Sequence, residues 1–264
     1  MLWFLCFKYI KTDKYRIIAL IFIIVLWFYL INIFLKKLNK KSIEHFENSI
    51  QIYYINLKDS YDRNKKMIEQ CTNLSCNRIN AINGKTFDIN DVDVKIKNSS
   101  LSRNCIACFL SHINSLKSVL KNNESYAIIL EDDVLLDNNL ITKLSIIRKE
   151  LPDDFDILFL GGTRVCGKKY SKNLIKQKQI NKDCNAGAFA YLVSNKSCRK
   201  ILELIYKDGI YKMYDHQLRD YFPKLNVFYS SPMLVNHNYD FESDRIKRKY
   251  TENYINNSST ILVE

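Results

Sequence analysis

The sequence predicts an α/β fold in which a mostly parallel sheet is flanked by helices and preceded by a single apolar helix. Two observations lead to this prediction. From residue 51 onward, apolar segments typical of buried strands alternate with amphipathic segments typical of helices. Nearer the N-terminus, a run of uncharged, mostly apolar residues is long enough to form a separate helix. A hydrophobic content of 47%, with only 6 glycines and 3 prolines, argues against disorder and against a turn-rich all-β sandwich.

The apolar run extends from Ile17 to Leu35 and contains no charged residue. At 1.5 Å per residue such a helix is about 28 Å long, enough to cross a hydrocarbon core of about 30 Å. Basic residues bracket the run and no small-residue cleavage site follows it, which favours a membrane anchor over a signal peptide or a core helix. Four basic residues lie on each flank, so the positive-inside rule does not fix the orientation. The short N-terminal stub and the large C-terminal domain favour a single-pass, type II arrangement.

The predicted organisation is a stub at 1–16, a transmembrane anchor at 17–35, a stem at 36–49, a globular domain at 50–250 and a C-terminal tail at 251–264. The net charge of +12 divides into +5 before residue 50 and +7 in the rest of the chain. A moderately basic domain suits an anionic ligand such as a sugar nucleotide, or an anionic membrane surface. The basic residues are spread rather than striped and no nucleic-acid-binding motif is recognisable, so no nucleic-acid partner is predicted.

Residue type and apolar spacing predict the elements of the domain. Short runs rich in β-branched and aromatic residues predict strands at 51–57, 78–82, 126–130, 156–160, 188–193 and 226–229. Apolar residues that recur every three or four positions, most clearly after Cys105, predict amphipathic helices at 59–71, 105–120, 139–150 and 196–206. The basic segment 163–182 has neither pattern and is predicted to be a loop or a hairpin.

The eight cysteines do not predict a metal centre. Cys105 and Cys108 form a lone C-x-x-C with no second pair at zinc spacing, within an apolar helical segment. We therefore predict a buried pair rather than a zinc or redox site. Seven cysteines follow the anchor, so disulfides could form if the domain lies in an oxidising compartment, with an odd thiol left over.

Three consecutive carboxylates follow the apolar strand that begins at Tyr126. Glu131, Asp132 and Asp133 should emerge at the C-terminal end of this strand, because acidic groups do not stay buried and unpaired. In open α/β sheets that edge is where ligands bind. A hard divalent cation such as Mg²⁺ or Mn²⁺ would relieve the repulsion and hold a diphosphate there. The alternative is an exposed acidic turn without a ligand.

Several short segments occur in an order that resembles a known family. They are Tyr54-Ile55-Asn56-Leu57 with Asp62-Arg63, Arg78-x-x-Ala81-Ile82-Asn83-Gly84, Cys108-x-x-Ser111-His112, the segments 130–134, 155–161 and 190–194, Asp215, and Ser243-Asp244-Arg245. Together they are similar to glycosyltransferase family 25, which contains lipopolysaccharide galactosyltransferases and procollagen galactosyltransferases. The resemblance implies a GT-A-type, Rossmann-like mixed sheet flanked by helices. It also implies a UDP-sugar donor, Mn²⁺ or Mg²⁺ as cofactor, and inversion at the anomeric carbon.

The resemblance also implies roles for the acidic residues. Asp133 is the first choice for the metal ligand and Asp132 the second, while Glu131 would contact the ribose or a metal-bound water. His237 would be a third metal ligand, the alternative being a solvent-facing loop histidine. Asp215 is a candidate for the base that takes the proton from the acceptor hydroxyl, or for sugar binding. Its alternative is an ordinary helix N-cap.

Two further groups are predicted on the donor side. Asn56, Leu57 and Arg63 stand where a strand ends and a helix begins, so they could hold the base and phosphates. For Arg63 the alternative is a local ion pair with a neighbouring aspartate. Ser111 and His112 lie on an apolar helix, where a structural role is usual, and the resemblance adds a donor-side role.

The function that follows is a membrane-anchored hexosyltransferase. It would transfer galactose or glucose from a UDP-sugar to a hydroxyl of a glycan, a lipid-linked sugar or a protein, in lipopolysaccharide or other glycan biosynthesis. Two alternatives stay open: a membrane-tethered binding protein with a decayed transferase fold, and another metal-dependent enzyme acting on phosphates. The second would need a further ligand cluster for a two-metal site.

Overall fold

The computed structural model describes residues 13–178, 184–239, 241 and 261–263. It divides into two compact units, Met1–Asn48 and Ser49–Glu264. The first 12 residues of the predicted stub, most of the predicted tail and the Ser243-Asp244-Arg245 segment lie outside the described residues.

The N-terminal unit contains one long helix, α1 (Asp13–Ser49, 37 residues). Within it, the 22 residues of Ile17–Leu38 are long and apolar enough to cross a membrane. The length and composition of this helix agree with the predicted membrane anchor. Some signal sequences have the same length and composition. The helix continues through the predicted stem at 36–49.

The second unit contains a nine-stranded sheet flanked by helices. Its strands are β1 (Ile50–Asn56), β2 (Cys76–Asn80), β3 (Tyr126–Glu131), β5 (Ile157–Phe159), β6 (Val165–Lys169), β7 (Leu174–Gln177), β8 (Ala190–Ser194), β9 (Val227–Ser230) and β11 (Ile261–Val263). Two further strands, β4 (Val134–Leu136) and β10 (Val235–His237), pair with each other in a separate antiparallel ribbon.

The strand order across the large sheet is β11-β6-β7-β9-β5-β8-β3-β1-β2. Strand β1 is parallel to both β2 and β3, whereas β8 is antiparallel to its neighbours β3 and β5. Four of the eight pairings between these strands are antiparallel. The mixed α/β fold class is therefore confirmed, and the expectation of a mostly parallel sheet is wrong. Strand β8 and the β6–β7 hairpin reverse direction because, among the described residues, no crossover helix separates them from the strands before them.

Five helices accompany the sheet: α2 (Tyr61–Gln70), α3 (Arg103–Lys121), α4 (Leu140–Arg148), α5 (Asn195–Asp208) and α6 (Tyr214–Asp220). Helix α3 begins where the Ser102 hydroxyl accepts a hydrogen bond from the backbone N–H of Cys105, a normal N-cap. Its apolar side, including Phe109, Ile113 and Leu116, is buried against the sheet and the other helices. This packing fixes the helix face that carries His112.

Most predicted elements are confirmed, one strand is shifted, and the basic segment predicted as a loop or a hairpin contains a hairpin. The second strand is Cys76–Asn80, two residues earlier than predicted, because its backbone follows the register of β1 rather than the apolar run. The basic segment after Thr163 contains the β6–β7 hairpin, which joins the main sheet through β9. Its first residues, Val165 and Cys166, are buried although the segment as a whole is basic.

Two disulfides connect cysteines that sequence spacing left unassigned, Cys71–Cys76 and Cys166–Cys184. The first joins the end of α2 to the start of β2, and the second links β6 to the segment before β8. Cys105 and Cys108 remain thiols and are half-buried, so the prediction of a buried pair is wrong. Cys105 lies in the first turn of α3, where the helix is still exposed to solvent.

The C-terminal end of α5 supplies a stability prediction. Gly209 has a φ of +70°, and a Cβ built there would lie 2.5 Å from the backbone oxygen of Lys95. We expect Gly209→Ala to lower the free energy of unfolding by at least about 1 kcal/mol, because it adds a clash to a backbone conformation that glycine favours. Chemical denaturation measures this loss, and Lys207→Ala, on the exposed side of α5, should stay within about 0.5 kcal/mol of the parent.

Candidate active site

The predicted strand ends meet at one edge of the sheet. The parallel pairing of β1 and β3 places Ile55 opposite Glu131, so Asn56 and Asp132 leave the sheet side by side. Strand β8 runs the other way, and the residues before it reach the same edge, where the backbone N–H of Glu131 donates to the Phe189 oxygen (2.8 Å). Residues from distant parts of the chain are thereby brought together around the carboxylates.

A cleft of about 240 Å³ opens at this edge. It lies between α3, the end of β3, the segment before β8, the start of α6 and the end of β10. Four of the predicted site residues line it: His112, Glu131, Asp215 and His237. Cys108, Gly187, Phe189, His216 and Tyr239 are among the other residues of its wall.

Beside the cleft, four predicted residues form a buried polar cluster. The amide of Asn56 donates to Asp132 Oδ2 (2.6 Å), and the Arg63 guanidinium lies 2.8 Å from Asp132 Oδ1 and 3.2 Å from Asp133 Oδ2. Arg63 therefore pairs with two distant carboxylates rather than only with its sequence neighbours. The Phe241 ring covers its guanidinium group at 5.4 Å.

The two aspartates of this cluster are almost fully buried, at 7% and 5% exposure for Asp132 and Asp133. Burial raises the pKa of Asp132 to about 6, although the adjacent Arg63 lowers it. Both carboxylate oxygens of Asp132 contact protein donors. Asp132 is thus positioned to hold Arg63 and Asn56 in place.

Asp133 also lies next to His237, with its Oδ2 atom 3.5 Å from the histidine Nε2. The histidine reaches this position because β10 pairs with β4 and places His237 opposite Val134. Two ligand atoms that share one ion at about 2.1 Å are roughly 3.0–3.5 Å apart. The separation therefore fits a pair of ligands to a single divalent ion, and His237 is half-buried rather than a solvent-facing loop residue.

His112 is buried and held on three sides. Its ring stacks on the Tyr214 ring with centroids 4.0 Å apart, and its Nδ1 atom lies 3.0 Å from the Tyr191 hydroxyl. The two tyrosine hydroxyls are 3.1 Å apart. On the cleft side, His112 Nε2 lies 3.5 Å from Glu131 Oε1. Glu131 therefore faces the cleft and His112, whereas Asp132 and Asp133 face the Arg63 cluster.

Asp215 lies in the first turn of α6, and Met213 rather than Asp215 is the N-cap. Its carboxylate accepts from the backbone N–H of Gly187 (3.3 Å) and of His216 (3.0 Å). The ordinary capping role considered for Asp215 is thus replaced by a contact across the cleft. The contact with Gly187 holds the Asp215 carboxylate close to the segment that precedes β8. Asp215 nevertheless remains part of the cleft wall.

The last two predicted residues, Ser111 and Leu57, belong neither to the cleft wall nor to the buried polar cluster. The Ser111 hydroxyl accepts from the backbone N–H of Ile82 (2.9 Å) and donates to the Ala107 oxygen (2.7 Å), so it fastens the segment after β2 to α3. Leu57 immediately follows β1, and its backbone oxygen accepts from the Ser60 N–H (3.0 Å) at the turn into α2. Both contacts support the shape of this edge of the sheet.

Sequence reasoning missed several wall residues. Cys108 was assigned to a buried pair, yet it lies one helical turn before His112 on the same face of α3. That four-residue spacing was a readable signal. The residues Gly187, Phe189 and Tyr239 carry no comparable signal, because only the sheet pairing and the β4–β10 ribbon bring them to the cleft.

Comparisons with known proteins agree with the sequence resemblance. The sequence model described as "Glycosyltransferase family 25 (LPS biosynthesis protein)" matches residues 49–218. Procollagen galactosyltransferase 1 of Danio rerio is 22% identical over 215 residues, covering 70% of this chain and 36% of that protein. Procollagen galactosyltransferase 1-B of Xenopus laevis is 25% identical over 215 residues, covering 70% and 35%. The chain thus spans about a third of the length of these relatives.

Solved structures give weaker likenesses. A glycosyltransferase involved in glycosylation of the major capsid of PBCV-1 superposes with a TM-score of 0.36 and 8% identity, covering 60% of this chain and 65% of that one. The glycosyltransferase GlyE of Streptococcus pneumoniae TIGR4 superposes with a TM-score of 0.35 and 10% identity, covering 76% and 56%.

Proposed function

Because the chain belongs to glycosyltransferase family 25, we propose that it transfers galactose or glucose from a UDP-sugar to an acceptor hydroxyl. The observation that carries this proposal is a cleft lined by Glu131, Asp215 and His237, with Asp133 beside the cleft and 3.5 Å from His237. Such an arrangement would give a diphosphate, a sugar and a carboxylate base neighbouring places.

Asp133 and His237 would hold Mn²⁺ or Mg²⁺. Their 3.5 Å separation suits two ligands of one ion, and an oxygen ligand with an imidazole suits Mn²⁺ better than Mg²⁺. When bound, the ion supplies charge neutralisation for the departing diphosphate. Asp132 does not need to be a ligand in this arrangement, since both of its oxygens hold Arg63 and Asn56.

The donor side would use the Asn56–Arg63 corner. The Oδ1 atom of Asn56 is buried and has no hydrogen-bond partner among the described residues, so it can accept from a base or ribose donor after a small movement. Arg63 places a positive charge behind the carboxylates and limits their mutual repulsion. Leu57 and Ser111 would act by shaping this corner, and His112 by orienting Glu131 toward the donor.

The acceptor side would use Asp215. Its carboxylate is held by the Gly187 N–H but remains on the cleft wall, which suits a group that takes a proton from an incoming hydroxyl. The relatives named procollagen galactosyltransferases make galactose the first sugar to test, with a protein hydroxyl as one acceptor class. The family description points equally to a lipopolysaccharide-type glycan acceptor.

The apolar helix would anchor this enzyme in a membrane through residues 17–35, in a type II orientation. The two disulfides of the sheet unit support this orientation, because such bonds persist in oxidising compartments. We expect protease added to sealed vesicles carrying the full chain to leave the unit from Ser49 onward intact until detergent is added. Digestion of that unit in closed vesicles would contradict the orientation.

The first test of function is a donor screen on the full chain in detergent. We expect Mn²⁺-dependent binding of one UDP-sugar, measured by calorimetry, and UDP release that increases when a sugar acceptor is added. A folded sample that binds a donor but never turns it over would support a binding protein instead. Hydrolysis of simple phosphate esters without any UDP-sugar turnover would support a phosphate-processing enzyme.

A further inference from the structure

We propose that Cys108, His112 and Glu131 form a second metal site, for a thiolate-binding divalent ion of the zinc class. It is separate from the Asp133–His237 pair. The ligand atoms of the three residues all lie within 4.8 Å of one another. The inference does not depend on sugar transfer, because it concerns metal binding alone.

The three side chains converge for structural reasons. Cys108 and His112 are four residues apart on α3, so they project from one face of the helix. Glu131 ends β3, and its carboxylate lies 3.5 Å from His112 Nε2. Zinc bonds of 2.0–2.3 Å in a tetrahedron place ligand atoms roughly 3.3–3.8 Å apart. The His112–Glu131 distance already fits, and a rotation of the Cys108 side chain would bring its sulfur within range.

The surroundings of His112 resemble those of a metal-binding histidine. Such histidines use one ring nitrogen for the ion and the other for a hydrogen bond that fixes the ring. Here Nδ1 bonds to the Tyr191 hydroxyl, Tyr214 stacks on the ring, and Nε2 points toward Glu131.

The kinds of ligand select the ion. A thiolate and an imidazole favour zinc over Mg²⁺ or Mn²⁺, which prefer oxygen ligands. Three protein ligands leave one position of a tetrahedral ion vacant, and all three residues line the cleft. A water or another oxygen ligand from the cleft would take that fourth position.

The test uses the full chain in detergent, stripped of metal and titrated first with Co²⁺ and then with Zn²⁺. We expect a thiolate-to-cobalt absorption band that one equivalent of Zn²⁺ abolishes. Cys108→Ser should remove the band and weaken Zn²⁺ binding by roughly 100-fold or more. Cys105→Ser, three residues away on the same helix and outside the cleft wall, should change neither. His237→Gln should retain the band, which separates this site from the Asp133–His237 pair.

A second variant tests the histidine network. Tyr191→Phe removes the hydrogen bond to His112 Nδ1 and should weaken Zn²⁺ binding by about 10–100-fold. Circular dichroism should verify that each variant is folded. A folded parent without the thiolate band, or a Cys108→Ser variant that binds Zn²⁺ as tightly as the parent, would overturn the proposal. Mn²⁺-dependent donor binding is measured in a separate experiment. A negative result for the second metal site therefore does not contradict the proposed transferase function, which the donor screen tests.

Discussion

Replacing Asp133 with asparagine is expected to lower kcat/KM for sugar transfer by about 1,000-fold. The proposed ion uses Asp133 Oδ2 and His237 Nε2, and an amide oxygen is a much weaker ligand than a carboxylate. Without the ion, charge that develops on the departing UDP is no longer neutralised. Steady-state kinetics with the preferred donor and Mn²⁺ calorimetry on the same samples measure the two losses together.

Asp132→Asn is the matched control for this prediction. It changes the neighbouring carboxylate, which contacts Asn56 and Arg63 rather than His237. We expect its Mn²⁺ affinity to fall by roughly 10- to 100-fold at most and to remain measurable, because Asp132 contacts Arg63, the partner of Asp133, rather than the ion. The opposite pattern, with Mn²⁺ binding lost in Asp132→Asn and kept in Asp133→Asn, would transfer the ligand role to Asp132.

The Asp133 variant should remain folded, which makes its loss of activity interpretable. Arg63 keeps its 2.8 Å pair with Asp132 when Asp133 becomes neutral, so no buried charge is left without a counterion. Removing Arg63 instead would leave two buried carboxylates facing each other. Arg63 variants are therefore poor probes of donor binding, because they combine a change in stability with a change in the site.

The sequence was sufficient to predict which edge of the sheet carries the three carboxylates. It was not sufficient to predict which partner each carboxylate contacts. Strand periodicity placed Glu131 at the end of β3, and the parallel β1–β3 pairing, which the sequence did not predict, places Asn56 beside Asp132. The partners that distinguish the carboxylates come from far along the chain. His112 arrives on α3 and His237 on β10, and local patterns carry no information about which carboxylate each will meet.

Strand direction and cysteine pairing show the same limit. A short buried strand has the same residue pattern whether it runs parallel or antiparallel, so β8 was predicted to exist but not to reverse. The Cys166–Cys184 bond joins a residue within the segment 163–182, predicted as a loop or a hairpin, to a residue just after that segment. Its pairing depends on how the β6–β7 hairpin folds, which the basic composition of that segment concealed.

Asp215→Asn is expected to lower kcat by about 100- to 10,000-fold while leaving the KM for the donor and Mn²⁺ affinity nearly unchanged. The amide would keep the size of the side chain and could still accept from the Gly187 N–H, but it would not take a proton from the acceptor. Steady-state kinetics with donor and acceptor varied separately, together with Mn²⁺ calorimetry on the same samples, measure these quantities.

Asp220→Asn on the same short helix is the control for Asp215. Asp220 is exposed and pairs with Lys212, away from the cleft wall, so its variant should retain the parent kcat. A variant of Asp215 with normal kcat but a raised KM for donor or acceptor would assign the residue to sugar binding.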